Sequence, residues 1–242
     1  MIELADVTKV FSNLVAVDSL SLKIPGGEVF GFLGPNGAGK TTTMKMIAGL
    51  LEPTRGRILV NGIDITREPV GAKAMMGFIP DSPYLYEKLT AREFMEFVAE
   101  MYGVDRTSGT SRIMRLLDLF GLQTREEELI QGYSHGMKQR LVMAAALLHE
   151  PKVLIIDEPM VGLDPKGAIL VKRLFTELAH EKGVTIFLST HTLNVAEEIC
   201  DETAIIHHGK LVAQGTLQNL RKRAQLEGGD LEEVFLKLTE SE

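Results

Sequence analysis

The segment Gly34–Thr41, which reads Gly-Pro-Asn-Gly-Ala-Gly-Lys-Thr, constrains this chain more than any other part of it. It matches the G-x-x-x-x-G-K-[ST] pattern of a phosphate-binding loop. An apolar run, Val29–Leu33, precedes it, and apolar residues at helical spacing begin at Met44. The pattern therefore predicts a buried strand, a loop and a helix in that order. Glycines let the loop curl its N–H groups towards phosphate oxygens, and the helix N-terminus adds positive potential, so we expect a nucleotide phosphate site here.

The side chains of this loop have separate expected roles. We expect Lys40 to reach the β- and γ-phosphates and to take part in catalysis, and the Thr41 hydroxyl to bind Mg²⁺. Further contacts with the nucleotide are expected from Asn36, Gly37, Ala38, Gly39 and Thr42. The alternative is a flexible glycine-rich turn whose lysine is incidental, but strand, loop and helix all agree with the phosphate site.

Two acids, Asp157 and Glu158, follow the apolar run Val153–Ile156. Ligand sites of open α/β sheets lie at the carboxyl ends of strands. We expect Asp157 to hold Mg²⁺ opposite Thr41, usually through water, and Glu158 to orient or deprotonate the water that attacks the γ-phosphate. The alternative is a pair of solvated loop acids that cap a helix.

The apolar pattern changes twice along the chain. Residues 2–33 alternate as strands do, helical spacing dominates between about residues 85 and 150, and strands then alternate with helices. This order predicts an α/β fold with a mainly parallel sheet, an N-terminal antiparallel β-subdomain and an inserted α-helical subdomain. We expect one domain over residues 1–242, with a C-terminal helical tail from about 217 to 242.

Four local predictions accompany this fold. The helix after the phosphate loop should run to about Leu51, because Pro53 ends it, and another helix should cover Ala168–Ala179. Asn61-Gly62 should form a tight hairpin, and His207–Lys210 a turn between two strands.

Composition narrows the function classes. The chain has 26 Lys and Arg residues and 33 Asp and Glu residues, which give a net charge of −7. This acidic balance argues against a broad surface that binds nucleic acid through its charge. A lone cysteine, Cys200, suits a reducing compartment. The longest strongly apolar run, Leu141–Leu148, is far shorter than the roughly 20 residues of a membrane span, and the N-terminus lacks a signal-peptide pattern. We therefore expect a cytoplasmic protein.

The segment Tyr133–Arg140 precedes Asp157-Glu158 by the length of one helix. This order resembles the signature segment of the ATP-binding cassette (ABC) ATPases, and the resemblance covers essentially the whole chain. Gly162–Pro165 is similar to the D-loop of that family, His191 to its switch histidine, and Phe11 to the aromatic residue that stacks on adenine. The resemblance implies a P-loop NTPase core that binds ATP and Mg²⁺.

The chain departs from the family pattern in two places. The family's usual signature, Leu-Ser-Gly-Gly-Gln, is replaced at its first, third and fifth positions by Tyr133, His135 and Met137. Asp81 stands where the family has the glutamine of its Q-loop; a carboxylate can still bind Mg²⁺ or its waters but cannot donate a hydrogen bond as an amide does. The role of His135, whether in the signature or as a solvated residue, stays open.

Ser134 and Gly136 are retained in the signature. Ser134 suits the N-cap of the helix after it, and capping alone is the alternative to an anion site. In the family two cassettes pair head to tail, so the resemblance implies that Ser134 and Gly136 meet the γ-phosphate held by Lys40 of the other subunit. It also implies that Asp164 lies at that interface and that His191 contacts the γ-phosphate and Glu158.

The resemblance favours the ATPase subunit of a transporter, working with a second ATPase subunit in a homo- or heterodimer and with a separate transmembrane permease. Such a subunit would be peripheral on the inner face of the cell membrane, with the permease near Asp81–Glu87, where Tyr84, Leu85 and Tyr86 supply apolar contacts. The variant signature and the tail are most similar to those of drug, polysaccharide or ion exporters. The alternatives are a soluble ABC ATPase of DNA repair or translation, which the lone cysteine and missing heptads disfavour, and a nucleotide kinase.

Overall fold

The computed structural model of the chain describes residues 1–226 and 228–239. Within these residues ten strands are present: β1 (Ile2–Phe11), β2 (Leu14–Ile24), β3 (Val29–Leu33), β4 (Arg55–Val60), β5 (Ile63–Asp64), β6 (Met76–Ile79), β7 (Val153–Asp157), β8 (Thr185–Thr190), β9 (Glu202–His207) and β10 (Lys210–Gly215). The α-helices in the same part of the chain are α1 (Lys40–Ile47), α2 (Pro69–Ala74), α3 (Ala91–Met101), α4 (Arg106–Leu119), α5 (His135–Leu147), α6 (Pro165–His180), α7 (Leu193–Ile199), α8 (Leu217–Arg223) and α9 (Leu231–Thr239).

The N-terminal strands form an antiparallel sheet in the order β2-β1-β4-β5. Leu4 pairs with Leu22 on one side and with Ile58 on the other, and all three side chains are buried, because alternate residues of these strands face the core. Asn61 and Gly62, with φ of 48° and 83°, make the predicted tight turn between β4 and β5.

The second sheet has the order β10-β9-β3-β8-β7-β6, in which only the β10–β9 pair is antiparallel. Strands β3, β7 and β8 are buried along their whole length, as expected of parallel strands covered on both faces. Their carboxyl ends lie side by side, so the segments after Leu33, Ile156 and Thr190 meet at one edge. The predicted α/β fold with a mainly parallel sheet is confirmed.

The two faces of this sheet belong to different hydrophobic clusters. On β7, Ile156 packs in a cluster with α3, α4, α5 and α6, whereas Ile155 faces α1 and the antiparallel sheet. A third cluster joins Ala196 of α7 and Ile205 of β9 to α8 and α9. Helices α3 to α5 therefore share a core with the sheet, and the limits of a separate subdomain at about 85–150 stay a prediction.

Some helix limits differ from the predicted ones. Helix α1 ends at Ile47 instead of near Leu51, because Gly49 adopts a left-handed φ of 64° and the N–H of Leu50 donates to the carbonyl of Lys45 at 2.8 Å, a Schellman cap. Helix α6 begins three residues before Ala168, at a proline that suits a first helical turn. Helix α2 and strand β6 lie in a stretch for which no element was predicted.

The C-terminal part contains α8 and α9; residues 227 and 240–242 of the predicted helical tail lie outside the described residues, and the limits of the tail stay a prediction. Over residues 1–226 and 228–239, none of the helices has the length and apolar content that crossing a lipid bilayer requires.

Candidate functional site

The phosphate loop lies between the end of β3 and the start of α1, as predicted. Gly39 has φ of 104°, and a Cβ there would lie 2.5 Å from the carbonyl oxygen of Ala16 in β2. A Cβ on Gly34 would lie 2.4 Å from the carbonyl oxygen of Ile206 in β9. Only glycine fits at these two points, because the loop is pressed between two strands that hold it in place.

The Lys40 side chain lies over the loop. Its ammonium group donates to the carbonyl oxygens of Gly34 at 2.6 Å and Pro35 at 3.2 Å. Burial lowers the pKa of Lys40, and the carboxylates of Glu158 and Asp157 oppose that shift. The cation therefore lies close to both acids that the sequence assigned to the site.

A cavity of about 470 Å³ opens above the loop. Its apolar end is formed by Phe11, Leu14 and Val15, and its other end by the predicted loop residues. The cavity is lined by Phe11, Leu14, Val15, Ala16, Asn36, Gly37, Gly39, Lys40, Thr41, Thr42, His208 and Gly209. Phe11 is 43% exposed, which leaves its ring available for stacking on a base.

Ala38 is placed differently from the other predicted loop residues. Its side chain is buried in the cluster below the loop, and it is absent from the cavity lining among the described residues. Its N–H donates to the carbonyl of Pro35 at 3.2 Å, and its carbonyl accepts from Gly209 at 3.0 Å. Ala38 therefore contributes to the shape of the loop, and its direct contact with a nucleotide stays a prediction.

The predicted metal ligands converge at the ends of α1 and β7. The Thr41 hydroxyl donates to Asp157 Oδ2 at 3.1 Å, and Asp157 is only 7% exposed. Burial raises the pKa of Asp157; the hydrogen bond from Thr41 opposes this, and the negative charges of Glu158 and Asp81 add to it. Asp81 is exposed and follows β6.

These oxygen donors fit Mg²⁺, which prefers hydroxyl, carboxylate, phosphate and water ligands. Among the described residues no group of three or more His, Cys, Asp and Glu side chains could hold a metal ion by itself. Thr41 and Asp157 would therefore share the ion with nucleotide phosphates and water, as Mg²⁺ does in nucleotide sites.

Glu158 is held at the edge of the sheet by residues at the end of β8 and directly after it. Its Oε1 accepts from the backbone N–H of His191 at 3.0 Å and lies 2.7 Å from His191 Nδ1, while Oε2 accepts from the Thr190 hydroxyl at 3.1 Å. Its backbone has a left-handed φ of 49°, and its N–H donates to the Ser189 carbonyl. The arrangement disagrees with a pair of solvated acids, because Asp157 is buried and Glu158 is hydrogen-bonded.

The signature residues lie at the start of α5, away from this cavity. Ser134 is exposed, and its hydroxyl accepts from the N–H of Met137 at 3.3 Å as the N-cap. A Cβ on Gly136 would lie 2.5 Å from the carbonyl oxygen of Gly162, and the His135 ring packs against Gly162.

Asp164 has a local role of its own, because its carboxylate caps α6 by accepting from the N–H of Gly167 at 3.0 Å. Among the described residues that line the cavity of this chain, Ser134, Gly136 and Asp164 are all missing.

Sequence reasoning missed several residues of the site. Leu14, Val15 and Ala16 line the cavity, although their apolar character indicated only a strand. Thr190 donates a hydrogen bond to Glu158, and its place directly before His191 was a usable signal. His208 was predicted only as part of a turn.

Comparison with known proteins agrees with this geometry. A sequence model described as ABC transporter matches residues 17–161, more than half of the chain. The bacitracin transport ATP-binding protein BcrA of Bacillus licheniformis is 40% identical over 223 residues, which cover 92% of this chain and 72% of that protein.

Two solved structures are similar over most of the chain. An ATP-binding subunit of an ABC transporter has a TM-score of 0.93 and 36% identity, covering 98% of this chain and 99% of that one. The cassette MJ0796, a dimer in a post-hydrolysis state bound to ADP and Pi, has a TM-score of 0.82 and 25% identity, covering 90% and 99%. This chain therefore belongs to the ABC transporter family, as an ATP-binding subunit that binds ATP with Mg²⁺ and hydrolyses it.

Proposed function

We propose that this subunit hydrolyses ATP in a head-to-tail dimer and thereby drives transport, in the export direction, through a separate membrane permease. The observation that carries the dimer is the separation of the exposed Ser134 and its neighbour Gly136 from the cavity that holds Lys40. Because the signature lies outside its own pocket, a second subunit would supply it to the γ-phosphate.

In this proposal the residues of one pocket bind different parts of MgATP. Lys40 and the loop N–H groups bind the phosphates, and Thr41 and Asp157 hold Mg²⁺, whose positive charge offsets that of the phosphate oxygens. Phe11 stacks on the base at the apolar end. The negative charge of Asp81 helps to raise the pKa of Asp157. This effect supports a place for Asp81 among the groups around the ion or its waters.

Glu158 is the proposed general base. Its two oxygens are oriented by Thr190 and His191, so that the carboxylate can accept a proton from the attacking water. Because Nδ1 of His191 faces Glu158 at 2.7 Å, its other ring nitrogen is the atom that remains for the γ-phosphate.

An exposed apolar patch supports the permease partner. Tyr84 is 87% exposed and Tyr86 60% exposed, and the ring of Phe97 on α3 packs edge-on against Tyr86 at 5.4 Å. Patches of this kind mark interaction sites. The patch lies three residues after Asp81, so a permease bound there would be close to the proposed metal site and would hold the subunit at the inner face of the membrane. The similarity to a bacitracin transport ATP-binding protein supports transport, and the export direction rests on the likeness of the variant signature and the tail to those of exporters.

Complementation between two inactive variants tests the shared pocket. Lys40→Ala damages the phosphate loop, and Ser134→Arg damages the exposed signature. In a head-to-tail dimer of one copy of each, one pocket has both defects and the other has neither. Because random pairing makes half of the dimers mixed, we expect the equimolar mixture to recover about one quarter of the wild-type ATPase rate.

Each variant alone should be nearly inactive, and thermal unfolding should show that both are folded. If the mixture is no more active than its components while the wild-type subunit alone hydrolyses ATP, the pocket is not shared between two copies of this chain.

Co-purification from detergent-solubilised membranes tests the transport partner. We expect a protein with several membrane-spanning segments to be retained by the wild type and lost from the double variant Tyr84→Ala, Tyr86→Ala. Val70→Ala is the matched control, because Val70 is also an exposed apolar side chain, at 82%, but lies on α2. Retention of ribosomes or DNA instead would favour a soluble ABC ATPase and contradict the transport proposal.

A further inference from the structure

The turn between β9 and β10 lines the cavity, but the function proposed above gives its side chains no contact with the nucleotide. Its two central residues, His208 and Gly209, have left-handed φ values of 45° and 79°, as a type I′ hairpin turn requires. Asparagine, aspartate and glycine are the residues that such a turn favours most, and histidine also tolerates its left-handed backbone.

The turn is fixed to both sides of the nucleotide cavity. The N–H of Gly209 donates to the carbonyl of Ala38 in the phosphate loop at 3.0 Å, and the carbonyl of Gly209 accepts from Asp18 in β2 at 2.9 Å. A Cβ on Gly209 would lie 2.9 Å from the carbonyl oxygen of Ala16, so the turn is also packed tightly against β2. The backbone of His208 therefore has one well-defined position.

From this position the exposed side chain of His208 lines the cavity. Its neighbour Gly209 contacts β2, which forms the apolar end, and the phosphate loop, which forms the other end. The ring of His207, half-buried, lies next to that of His208 with 4.1 Å between the ring centroids. His208 is therefore placed at the junction of the two halves of the cavity.

We propose that His208 is a nucleotide-binding residue, whose imidazole donates a hydrogen bond to a hydroxyl of the sugar of the bound nucleotide. With the base at Phe11 and the outer phosphates at Lys40, this part of the molecule crosses the junction where His208 lies. The inference rests on the proposed positions of base and phosphates, and it adds a contact that the family motifs in the chain do not include.

The test compares MgATP with inorganic tripolyphosphate, which has no sugar, by titration calorimetry on the full chain. The variant His208→Asn keeps a residue that tolerates the left-handed backbone. Loss of one hydrogen bond predicts a Kd for ATP about three- to tenfold weaker, with the Kd for tripolyphosphate unchanged. Lys210→Asn is the control, because Lys210 flanks the same turn and is absent from the cavity lining among the described residues.

A second variant separates binding from folding. Glycine suits the left-handed position better than histidine, so His208→Gly should keep or raise the thermal stability and still weaken ATP binding. Unchanged ATP affinity in both variants, or equal weakening of ATP and tripolyphosphate, would overturn the inference. If Lys40→Ala removes ATP binding while the His208 variants do not, only this inference fails; if Lys40→Ala binds ATP normally, the proposed site itself fails.

Discussion

Replacing Glu158 with glutamine removes one negative charge and almost no volume. The new side chain can still accept hydrogen bonds through its amide oxygen, and glutamine, unbranched at Cβ like glutamate, adopts the left-handed backbone of position 158 at a similar cost. It cannot accept a proton from water. The variant therefore tests the base and leaves the fold and the phosphate loop intact.

The expected size of the effect follows from that role. A positioned general base contributes about 10²- to 10⁴-fold to a rate, so the rate of hydrolysis at saturating ATP should fall by that factor. At about 1.4 kcal/mol for each tenfold change, this corresponds to about 3–5 kcal/mol in activation free energy. ATP binding should be retained, because Lys40 is near Glu158 and removing a negative charge does not repel the phosphates.

Single-turnover hydrolysis and light scattering measure the two consequences. With MgATP, the variant should hydrolyse slowly and accumulate as a dimer, because the nucleotide that joins the subunits persists. Glu177→Gln on α6 is a matched control, since Glu177 forms only a surface ion pair with Lys182. A turnover rate within threefold of wild type would remove Glu158 from catalysis, and a monomer at saturating ATP would contradict the dimer.

Three further changes should have distinct effects. Lys40→Ala should abolish nucleotide binding or hydrolysis, measured by calorimetry and phosphate release. Gly136→Ala should lower the melting temperature and the ATPase rate, because its Cβ would meet the Gly162 carbonyl at 2.5 Å. Asp64 has a pKa lowered to about 2, first by the hydroxyl of a nearby threonine and also by Arg57, so Asp64→Asn should cost about 2 kcal/mol in urea unfolding at pH 7. This difference should shrink as the pH falls from about 4 to 2 and the wild-type carboxylate is protonated; a constant difference would refute it.

Much of the site could be predicted because its parts follow buried strands. Apolar runs at Val29–Leu33 and Val153–Ile156 identify central strands, and parallel strands bring their carboxyl ends to one edge. The phosphate loop follows the first of these runs and Asp157 follows the second, so the two must lie close together. The hydrogen bond of 3.1 Å from the Thr41 hydroxyl to Asp157 agrees with this expectation.

Other features depend on contacts between distant segments, which local patterns do not contain. The apolar spacing and Pro53 placed the end of α1 near Leu51, whereas the left-handed backbone of Gly49 ends the helix at Ile47. Ala38 was counted with its loop neighbours, although its side chain points into the core. His208 lies about 170 residues beyond the phosphate loop, and only the pairing of β9 with β3 brings it to the cavity.

The close approach of Gly136 to Gly162 has a consequence for communication between pockets. Gly162 lies only four residues after Glu158, so the segment that leaves one hydrolytic centre is in direct contact with the helix end offered to the opposite nucleotide. With no side chain between the two backbones, a shift of either one displaces the other. In the proposed dimer, we expect this backbone junction to let the nucleotide bound in one pocket adjust the rate of hydrolysis in the other.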